Sequence, residues 1–171
     1  IVICPSMNTN MLLSPPVQRN LRQLEEDGHA VLASACGSLA CGTSGAGRLP
    51  EPEEIVDRLL ARLSPQDFAG RTVLITAGPT REAMDPVRFI SNPSSGKMGY
   101  AVARAAEHRG ADVILVSGPV HLPDPVNVRT LRVTTAEEMG NAVFDLAEQS
   151  DIIVKTAAVG DYKPQKTALH K

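Results

Sequence analysis

The chain has 171 residues, a formal net charge of −2 and 43% hydrophobic residues, which fits about one domain of ordinary globular composition. This composition excludes a disordered or fibrous chain. The balance of 17 basic against 19 acidic residues argues against a general nucleic-acid or membrane-surface binder. Three phenylalanines, two tyrosines and no tryptophan leave little surface on which bases could stack.

The cysteines and the chain ends indicate the cellular context. Cys4, Cys36 and Cys41 are an odd number of cysteines in a chain without an apolar signal segment, so we expect no disulfide framework and a reducing, cytoplasmic location. No apolar run approaches the roughly 20 residues that span a bilayer. The start at Ile1 without a methionine and the end at Lys171 predict a piece of a longer protein.

Strand and helix signals alternate along the first part of the chain. A strand at residues 1–4 precedes a helix that begins after Ser14 and ends at Gly28. A second strand at residues 30–33 leads into a loop at residues 34–50 that is rich in glycine, serine and alanine. The apolar side of the next helix is formed by Ile55, Val56, Leu59, Leu60 and Leu63.

A proline and a glycine within residues 64–70 predict a linker, and we place a domain boundary there. The second part follows the order β-α-β-β-α-β. Its predicted strands are residues 71–77, 112–116, 128–133 and 151–157, and its predicted helices are residues 96–109 and a segment from about residue 136. This alternation predicts an α/β fold with parallel sheets, divided into residues 1–63 and 71–171.

The connection at residues 78–99 carries the strongest functional signal. Ligands bind at the carboxyl ends of strands in open α/β sheets, and this loop far exceeds the usual length of about 2–6 residues. From Asn92 to Lys97 it brings hydroxyls, backbone N–H groups and a lysine to a helix N-terminus, as a phosphate or carboxylate site would. The alternative is an irregular loop in which Ser95 only caps the helix.

Two common nucleotide-binding motifs are absent from the sequence. A Walker A loop needs Gly at the position of Ser91 and Ser or Thr at the position of Met98. The sequence therefore does not predict a P-loop kinase. No G-x-G-x-x-G follows a predicted strand either, so the dinucleotide fingerprint is missing.

The loops of the first part give weaker signals. Residues 5–11 place amides and thioethers after a strand, which fits turn and core residues as well as a ligand role. The loop at residues 34–50 fits a lid that closes on substrate. Its C-x₄-C pair lacks a second pair of zinc ligands. We expect Cys36 to be a small buried side chain and Cys41 to be an exposed reactive thiol.

These segments resemble one enzyme family of coenzyme A biosynthesis. The runs P-S-M-N-T-N-M (residues 5–11), L-A-C-G (39–42) and G-A-G-R-L (45–49) resemble the end of flavin-dependent phosphopantothenoylcysteine decarboxylases. The runs I-T-A-G-P-T-R-E (75–82), D-P-V-R-F-I-S-N (85–92) and S-S-G-K-M-G (94–99) resemble the start of phosphopantothenate–cysteine ligases. In this order they are similar to the bacterial bifunctional enzymes, and the resemblance implies two incomplete Rossmann-like (flavodoxin-like) domains joined by a short linker.

For the first domain, the resemblance implies part of an FMN-dependent decarboxylase. Asn8 would engage the substrate carboxylate, and Cys41 would donate the proton in the final reduction, a role that suits a thiol. The other residues that the resemblance assigns to substrate binding are Met7, Met11, Gly45, Gly47 and Arg48.

For the second domain, the resemblance implies a CTP-dependent ligase with Mg²⁺. Arg88 and Asn92 would support an acyl-cytidylate intermediate that the amine of cysteine attacks. The implied substrate-binding residues are Ser94, Ser95, Gly96 and Lys97. The implied nucleotide-binding residues are Gly78, Lys155, Thr156, Ala157, Ala158, Asp161 and Lys171, with Asp161 acting through the metal ion.

The resemblance also implies partners. The substrates would be 4′-phosphopantothenate, cysteine and 4′-phosphopantothenoylcysteine, and the protein would form homo-oligomers, with ligase dimers and decarboxylase trimers or higher. Neither nucleic acid nor a membrane is an expected partner. The alternative is a non-catalytic flavin-binding or regulatory homologue of the decarboxylases. The presence of Asn8 and Cys41 beside an intact ligase loop favours the enzyme.

Overall fold

The computed structural model describes all 171 residues, and their contacts divide the chain into two compact units, Ile1–Leu63 and Ser64–Lys171. Both units combine helices with parallel strand pairs, so the predicted α/β class is confirmed. None of the helices combines the length and the apolar character that crossing a bilayer requires.

The first unit contains a parallel strand pair, an antiparallel hairpin and three helices. Its elements are β1 (Val2–Ile3), α1 (Thr9–Leu12), α2 (Pro15–Glu26), β2 (Ala30–Val31), β3 (Ala35–Ser38), β4 (Ser44–Arg48) and α3 (Pro52–Leu63). β1 pairs with β2 in parallel, and β3 pairs with β4 in antiparallel orientation. The strands at residues 1–4 and 30–33 are thus predicted correctly, although each is only two residues long.

The loop predicted at residues 34–50 is the main correction in this unit. Instead of an irregular lid, the segment forms the β3–β4 hairpin, whose turn is closed by a hydrogen bond from Leu39 N to Thr43 O of 2.8 Å. The two strands are rich in small residues with low β-propensity, so their sequence does not predict strands. Cys36 lies in β3 and is exposed, contrary to the expectation that it is buried.

The second unit is built on a four-stranded parallel sheet. Its elements are β5 (Thr72–Ala77), β6 (Arg81–Ala83), β7 (Phe89–Ser91), α4 (Lys97–His108), β8 (Asp112–Ser117), β9 (Arg129–Arg132), α5 (Ala136–Ala147) and β10 (Ile152–Lys155). The strand order is β10-β5-β8-β9, with every pair parallel. The order β-α-β-β-α-β is confirmed, with one hairpin added.

The central strands of this sheet are buried on both faces, as their continuous apolar runs indicate. On one face Val73, Ile75 and Ala77 of β5 share a core cluster with Ala103 of α4. On the other face Leu74 belongs to a cluster with residues of α5, namely Met139 and Leu146. The sheet is therefore covered by one helix on each side, which is the arrangement of a Rossmann-like half.

The added hairpin corrects the prediction of a loop from residue 78 to residue 95. β6 and β7 pair in antiparallel orientation, with Glu82 opposite Ile90. Ser95 does not cap α4, because the N-cap residue is Gly96, which has a left-handed conformation at φ 74° and makes no side-chain cap. The alternative in which Ser95 merely caps the helix is therefore wrong.

Candidate functional site

Strand β5 and the edge strand β10 of the four-stranded sheet end side by side. β5 and β10 are neighbours in the sheet, and α4, which follows β5, and α5, which precedes β10, cover opposite faces, so the carboxyl ends of the two strands border a crevice. The pairing extends past both strands, since Pro79 bridges Ala158 and the Ala158 N–H donates to Gly78 O at 2.9 Å. The predicted nucleotide-binding residues Gly78 and Ala158 are thus brought together.

Asn92 joins the loop before α4 to the segment after β10. Its Nδ2 donates to Ala158 O at 3.2 Å and to Val159 O at 3.0 Å. Both partners are carbonyl oxygens, so the amide NH₂ group must face them. The Oδ1 atom is left as an open acceptor at an exposed position of the crevice. Asn92 can therefore accept a hydrogen bond from a bound amine or hydroxyl.

A cavity of about 440 Å³ opens next to Asn92. The residues predicted for substrate binding that line it are Ser94, Ser95 and Lys97. The sequence did not identify the rest of its wall, which includes Arg81, Phe89, Ser91, Pro119, Val120, His121 and Leu122. The length of the loop was the signal for the first set. Arg81, Phe89 and Ser91 lie in the same loop and in the motifs quoted above but were not selected as site residues, and no motif marked the β8–β9 connection.

Two glycines allow the backbone to close up beneath this cavity. Gly78 has φ 77° and Gly96 has φ 74°, conformations that side chains rarely adopt. A Cβ atom added at Gly78 would lie 2.9 Å from Val120 Cγ1, and one added at Gly96 would lie 2.8 Å from the same atom. These glycines therefore shape the site rather than contact a ligand through side chains.

Arg88 lies away from the cavity wall, at the turn of the β6–β7 hairpin. Its Nε donates to Asp85 Oδ2 at 2.7 Å, and the Val87 and Arg88 N–H groups donate to Asp85 Oδ1 at 2.8 Å each. The backbone N–H of Val87, followed by the Arg88 side chain, holds the pKa of the Asp85 carboxyl below its usual value. Arg88 keeps 59% of its side chain exposed and has donors left for a ligand.

The remaining predicted nucleotide-binding residues follow β10. Thr156 Oγ1 donates to Thr76 O at 2.7 Å, and the Ala157 N–H points to Thr76 Oγ1 at 3.4 Å, so this segment is fixed to β5. Lys155, Asp161 and Lys171 are exposed. No group of three or more His, Cys, Asp or Glu side chains is arranged to hold a metal ion by itself.

The first unit has its own cavity, of about 350 Å³. The predicted residues that line it are Met7, Asn8, Cys41, Gly47 and Arg48. Its wall is completed by Ser6, Ser38, Leu39, Ala40 and Leu49. Met7 is fixed there because its N–H donates to Gly47 O at 2.9 Å. Met11, which is 58% exposed, and Gly45 are not part of this wall.

Cys41 lies in the turn between β3 and β4 and is surrounded by polar atoms. Asn8 Nδ2 donates to Cys41 Sγ at 3.1 Å, and Thr43 Oγ1 lies 3.1 Å from the same sulfur. These contacts, with the Thr43 side chain first, lower the pKa of the Cys41 thiol. The sulfur is exposed, as predicted, and its environment favours the thiolate.

Comparisons with known proteins match one family to each part of the chain. Residues 68–171 match the family described as DNA/pantothenate metabolism flavoprotein C-terminal domain, and residues 1–64 match the family described as flavoprotein. The coenzyme A biosynthesis bifunctional protein CoaBC of Vibrio cholerae is 48% identical over 171 residues, which are 100% of this chain and 43% of that protein. The chain thus spans less than half the length of this curated relative.

Two solved structures resemble part of the chain. The C-terminal domain of a CoaBC protein has a TM-score of 0.58 at 52% identity, covering 61% of this chain and 53% of that one. The DNA/pantothenate metabolism flavoprotein from Streptococcus pneumoniae has a TM-score of 0.53 at 27% identity, covering 56% and 42%. Because its family model covers more than half of the residues, the chain belongs to the family of the DNA/pantothenate metabolism flavoprotein C-terminal domain.

Proposed function

We propose that this chain forms adjoining parts of a bifunctional enzyme of coenzyme A biosynthesis. Residues 1–63 would belong to an FMN-dependent phosphopantothenoylcysteine decarboxylase, residues 64–70 to a linker, and residues 71–171 to a CTP-dependent phosphopantothenate–cysteine ligase. The observation that carries the proposal is the 3.1 Å contact between Asn8 and Cys41, two residues that are 33 positions apart and meet in one cavity.

That cavity supports the decarboxylase part of the proposal. The hydroxyls of Ser6 and Ser38 fit a phosphate or hydroxyl group, and Met7 and Leu39 offer an apolar surface that fits an aromatic ring; these residues would hold FMN. The flavin supplies the oxidation of the substrate's cysteine moiety and the return of hydride. Asn8 would orient the carboxylate that is lost. Arg48, which forms an ion pair with Glu51, would contribute its guanidinium to the wall, and Met11 and Gly45 would act from outside the wall.

Cys41 has the chemistry of the proton donor in this reaction. Hydrogen bonds from Asn8 and Thr43 hold its sulfur in the cavity wall. The lowered pKa brings the thiol nearer to neutral pH, where it can give up a proton readily. A non-catalytic flavin-binding homologue would have no use for such a thiol, and this argues against that alternative.

The crevice of the second unit supports the ligase part of the proposal. Arg88 and Asn92 would serve the acyl-cytidylate stage, with the open Oδ1 of Asn92 available to the attacking amine of cysteine. The loop from Ser94 through Gly96 to Lys97 would bind 4′-phosphopantothenate. CTP and Mg²⁺ would lie along the segment that includes Gly78, Lys155, Thr156, Ala157, Ala158, Asp161 and Lys171. We also propose that the protein forms homo-oligomers and that it is located in the cytoplasm.

The decisive experiment uses the longest natural open reading frame that contains this chain. Supplied with CTP, 4′-phosphopantothenate and cysteine, the protein should release pyrophosphate and then CO₂. Cys41→Ser should still release CO₂ but yield the oxidised enethiol instead of the saturated thiol, because the proton for the last step is missing.

Cys36→Ser, which changes an exposed cysteine outside the cavity, serves as the control and should give the normal product. Normal product from Cys41→Ser at the wild-type rate would contradict the role of Cys41. A wild-type protein that consumes neither substrate would contradict the proposed function as a whole.

A further inference from the structure

Thr80 follows β5 and is completely buried. Its backbone continues the parallel pairing of β5 and β10 past the ends of both strands, since the Ala158 N–H donates to Gly78 O at 2.9 Å and the Thr80 N–H donates to Ala158 O at 3.4 Å. In a regular parallel ladder, the next hydrogen bond would join the Gly160 N–H to the carbonyl oxygen of Thr80. The Gly160 N–H instead donates to the side-chain oxygen, Thr80 Oγ1, at 2.9 Å. The hydroxyl of Thr80 therefore takes the place of a backbone carbonyl.

This exchange of acceptors leaves the carbonyl oxygen of Thr80 available to a third segment. Ser91 Oγ, at the end of β7, donates to Thr80 O at 2.7 Å. The next residue, Asn92, donates through Nδ2 to the carbonyl oxygens of Ala158 and Val159. Thr80 thus joins the loop after β5, the end of the β6–β7 hairpin and the segment after β10.

Gly160 packs against a buried surface that Thr80 shares with Glu82. A Cβ atom added at Gly160 would lie 3.5 Å from Thr80 Oγ1 and 3.6 Å from Glu82 Cγ. Glu82 is itself fixed, because it is 6% exposed and its Oε1 accepts a hydrogen bond from the Ala136 N–H at 2.8 Å. Asp161 follows Gly160 directly, and its exposed carboxylate has no partner in the protein. The position of that carboxylate therefore depends on its backbone.

We propose that Thr80 is a positioning residue of the ligase site, and that its hydroxyl fixes the backbone that carries the Asp161 carboxylate. The inference rests on the proposed function, in which Asp161 serves the nucleotide, and deepens it. Without the hydrogen bond from Gly160, the segment after β10 has more conformational freedom. Binding of CTP must then also order this segment, which weakens the binding.

Thr80→Val tests this inference, because it keeps the β-branched shape and removes the hydroxyl. In the longest natural open reading frame that contains this chain, calorimetric titration with CTP and Mg²⁺ should give a Kd about 3- to 10-fold higher than in the wild type, the usual effect of one lost hydrogen bond. The Kd of 4′-phosphopantothenate, which the proposed function places on the loop from Ser94 to Lys97, should not change. Thr80→Ser keeps the hydroxyl and should bind CTP as the wild type does.

Thr130→Val is the matched control. Thr130 lies in β9, at the opposite edge of the sheet from β10, and its buried hydroxyl has no hydrogen-bond partner. The same substitution at this position should change neither Kd.

Two further readouts separate positioning from a general loss of structure. Hydrogen exchange of peptides that contain Gly160, measured without ligand, should be faster in Thr80→Val than in the wild type and in Thr130→Val. In the Asp161→Ala background, Thr80→Val should not weaken CTP binding further, because Thr80 acts through Asp161.

A wild-type Kd for CTP in folded Thr80→Val would overturn the inference. Equal weakening in Thr80→Val and Thr80→Ser, or additive losses from Thr80→Val and Asp161→Ala, would overturn it as well, and CTP binding by the wild type would leave the proposed function standing. Circular dichroism checks that each variant is folded, and Thr80→Ala replaces Thr80→Val if the latter does not fold. If neither variant folds, Thr80 is a residue of the fold and the inference is wrong. A wild-type protein that binds no CTP would contradict the proposed function and the inference together.

Discussion

The thiol of Cys41 shows how single hydrogen bonds set the chemistry of one side chain. Thr43 contributes most to the lowered pKa, through its side chain and its backbone, and Asn8 contributes through its amide. All three groups donate to sulfur or orient a dipole toward it, which stabilises the thiolate relative to the thiol. The residue that tunes Cys41 therefore lies two positions away in the same turn.

Thr43→Val should raise the pKa of Cys41, since it removes the hydroxyl that lowers the pKa most. The rate of alkylation by iodoacetamide, followed by mass spectrometry of the Cys41 peptide as a function of pH, should then have its midpoint at higher pH than in the wild type. Thr43→Ser keeps the hydroxyl and should leave the midpoint in place. The exposed Cys36 serves as an internal reference, and an unmoved midpoint in Thr43→Val would assign the shift to another group.

Asn92→Asp should damage the ligase site more than Asn92→Ala does. The alanine variant loses two hydrogen bonds to Ala158 O and Val159 O, each of about 0.5–1.5 kcal/mol. The aspartate variant adds a carboxylate that faces both carbonyl oxygens and repels a phosphate-rich intermediate. We expect CTP-dependent turnover to fall at least about tenfold further in Asn92→Asp than in Asn92→Ala. Equal turnover in the two variants would show that charge at this position does not matter.

At the level of secondary-structure elements, the β6–β7 hairpin is fixed by one buried carboxylate. Asp85 is only 3% exposed and accepts the N–H groups of Val87 and Arg88 at its turn. A hydrogen bond from Ser91 Oγ to Thr80 O, at 2.7 Å, ties the other end of the hairpin to the loop after β5. The hairpin thereby holds Arg81, Phe89 and Asn92 near the carboxyl ends of the strands.

The stability of this hairpin should depend on pH through Asp85. Its folded pKa is lowered, so its contribution is complete above the unfolded pKa of about 3.9 and is lost as the pH falls through the lower folded value. Asp85→Asn keeps an oxygen acceptor but cannot titrate. Between about pH 5 and pH 2.5, the urea midpoint should therefore fall less in Asp85→Asn than in the wild type. If the urea midpoints of the two proteins fell in parallel with pH, Asp85 would not be the group that causes the loss of stability.

The sequence predicted some elements far better than others. The run from Thr72 to Ala77 is rich in apolar and β-branched residues, which predicts a buried parallel strand. The structure has this strand with the same residues. The two hairpins gave no such signal. β3 and β4 consist largely of Gly, Ala and Ser. β6 and β7 have three residues each, and their pairing depends on the buried carboxylate of Asp85 and on the hydrogen bond from Ser91 to the backbone of Thr80.

The same distinction applies to the candidate sites. Asn8, Cys41 and Asn92 were predicted from motifs, and the structure places Asn8 next to Cys41. Arg81 and His121 were not predicted as site residues, because their role depends on which loops border one cavity. Local sequence spacing cannot contain that information, whereas the strand order β10-β5-β8-β9 determines it.

Across the whole molecule, buried apolar side chains are distributed unequally. All of those that form the core lie in the second unit, between Val73 and Leu146. In the first unit, apolar residues of α3 such as Val56, Leu60 and Leu63 are 54%, 51% and 74% exposed. A unit of 63 residues without a buried apolar core is not expected to be stable by itself.

The isolated chain of 171 residues should therefore exchange amide hydrogens unevenly. Amides of β5 and β8 should exchange only through global unfolding, and amides of β1, α2 and α3 should exchange at least about a hundredfold faster, through local opening. Hydrogen exchange with mass spectrometry on peptides from each unit measures this difference directly. Similar protection in both units would mean that the first unit is stabilised by interactions other than apolar burial.

The same chain should neither retain stoichiometric FMN nor show activity in either half-reaction. FMN binding needs a rigid cavity, and the cavity of the first unit rests on elements that lack a core. Flavin absorbance after gel filtration and a pyrophosphate-release assay with CTP, 4′-phosphopantothenate and cysteine test both points. A yellow, catalytically competent preparation would contradict this prediction.

The close approach of Gly78 and Gly96 limits the routes by which this loop can evolve. Both positions face Val120, and both have backbone conformations that only glycine, and to a lesser degree asparagine, adopts easily. While Val120 is present, a Cβ atom at either position would lie within 3 Å of its Cγ1, so a smaller residue at position 120 should reduce the cost of replacing either glycine. A combinatorial library at the three positions should therefore show epistasis: replacements of Gly78 or Gly96 should be recovered more often together with a smaller residue at position 120 than with valine.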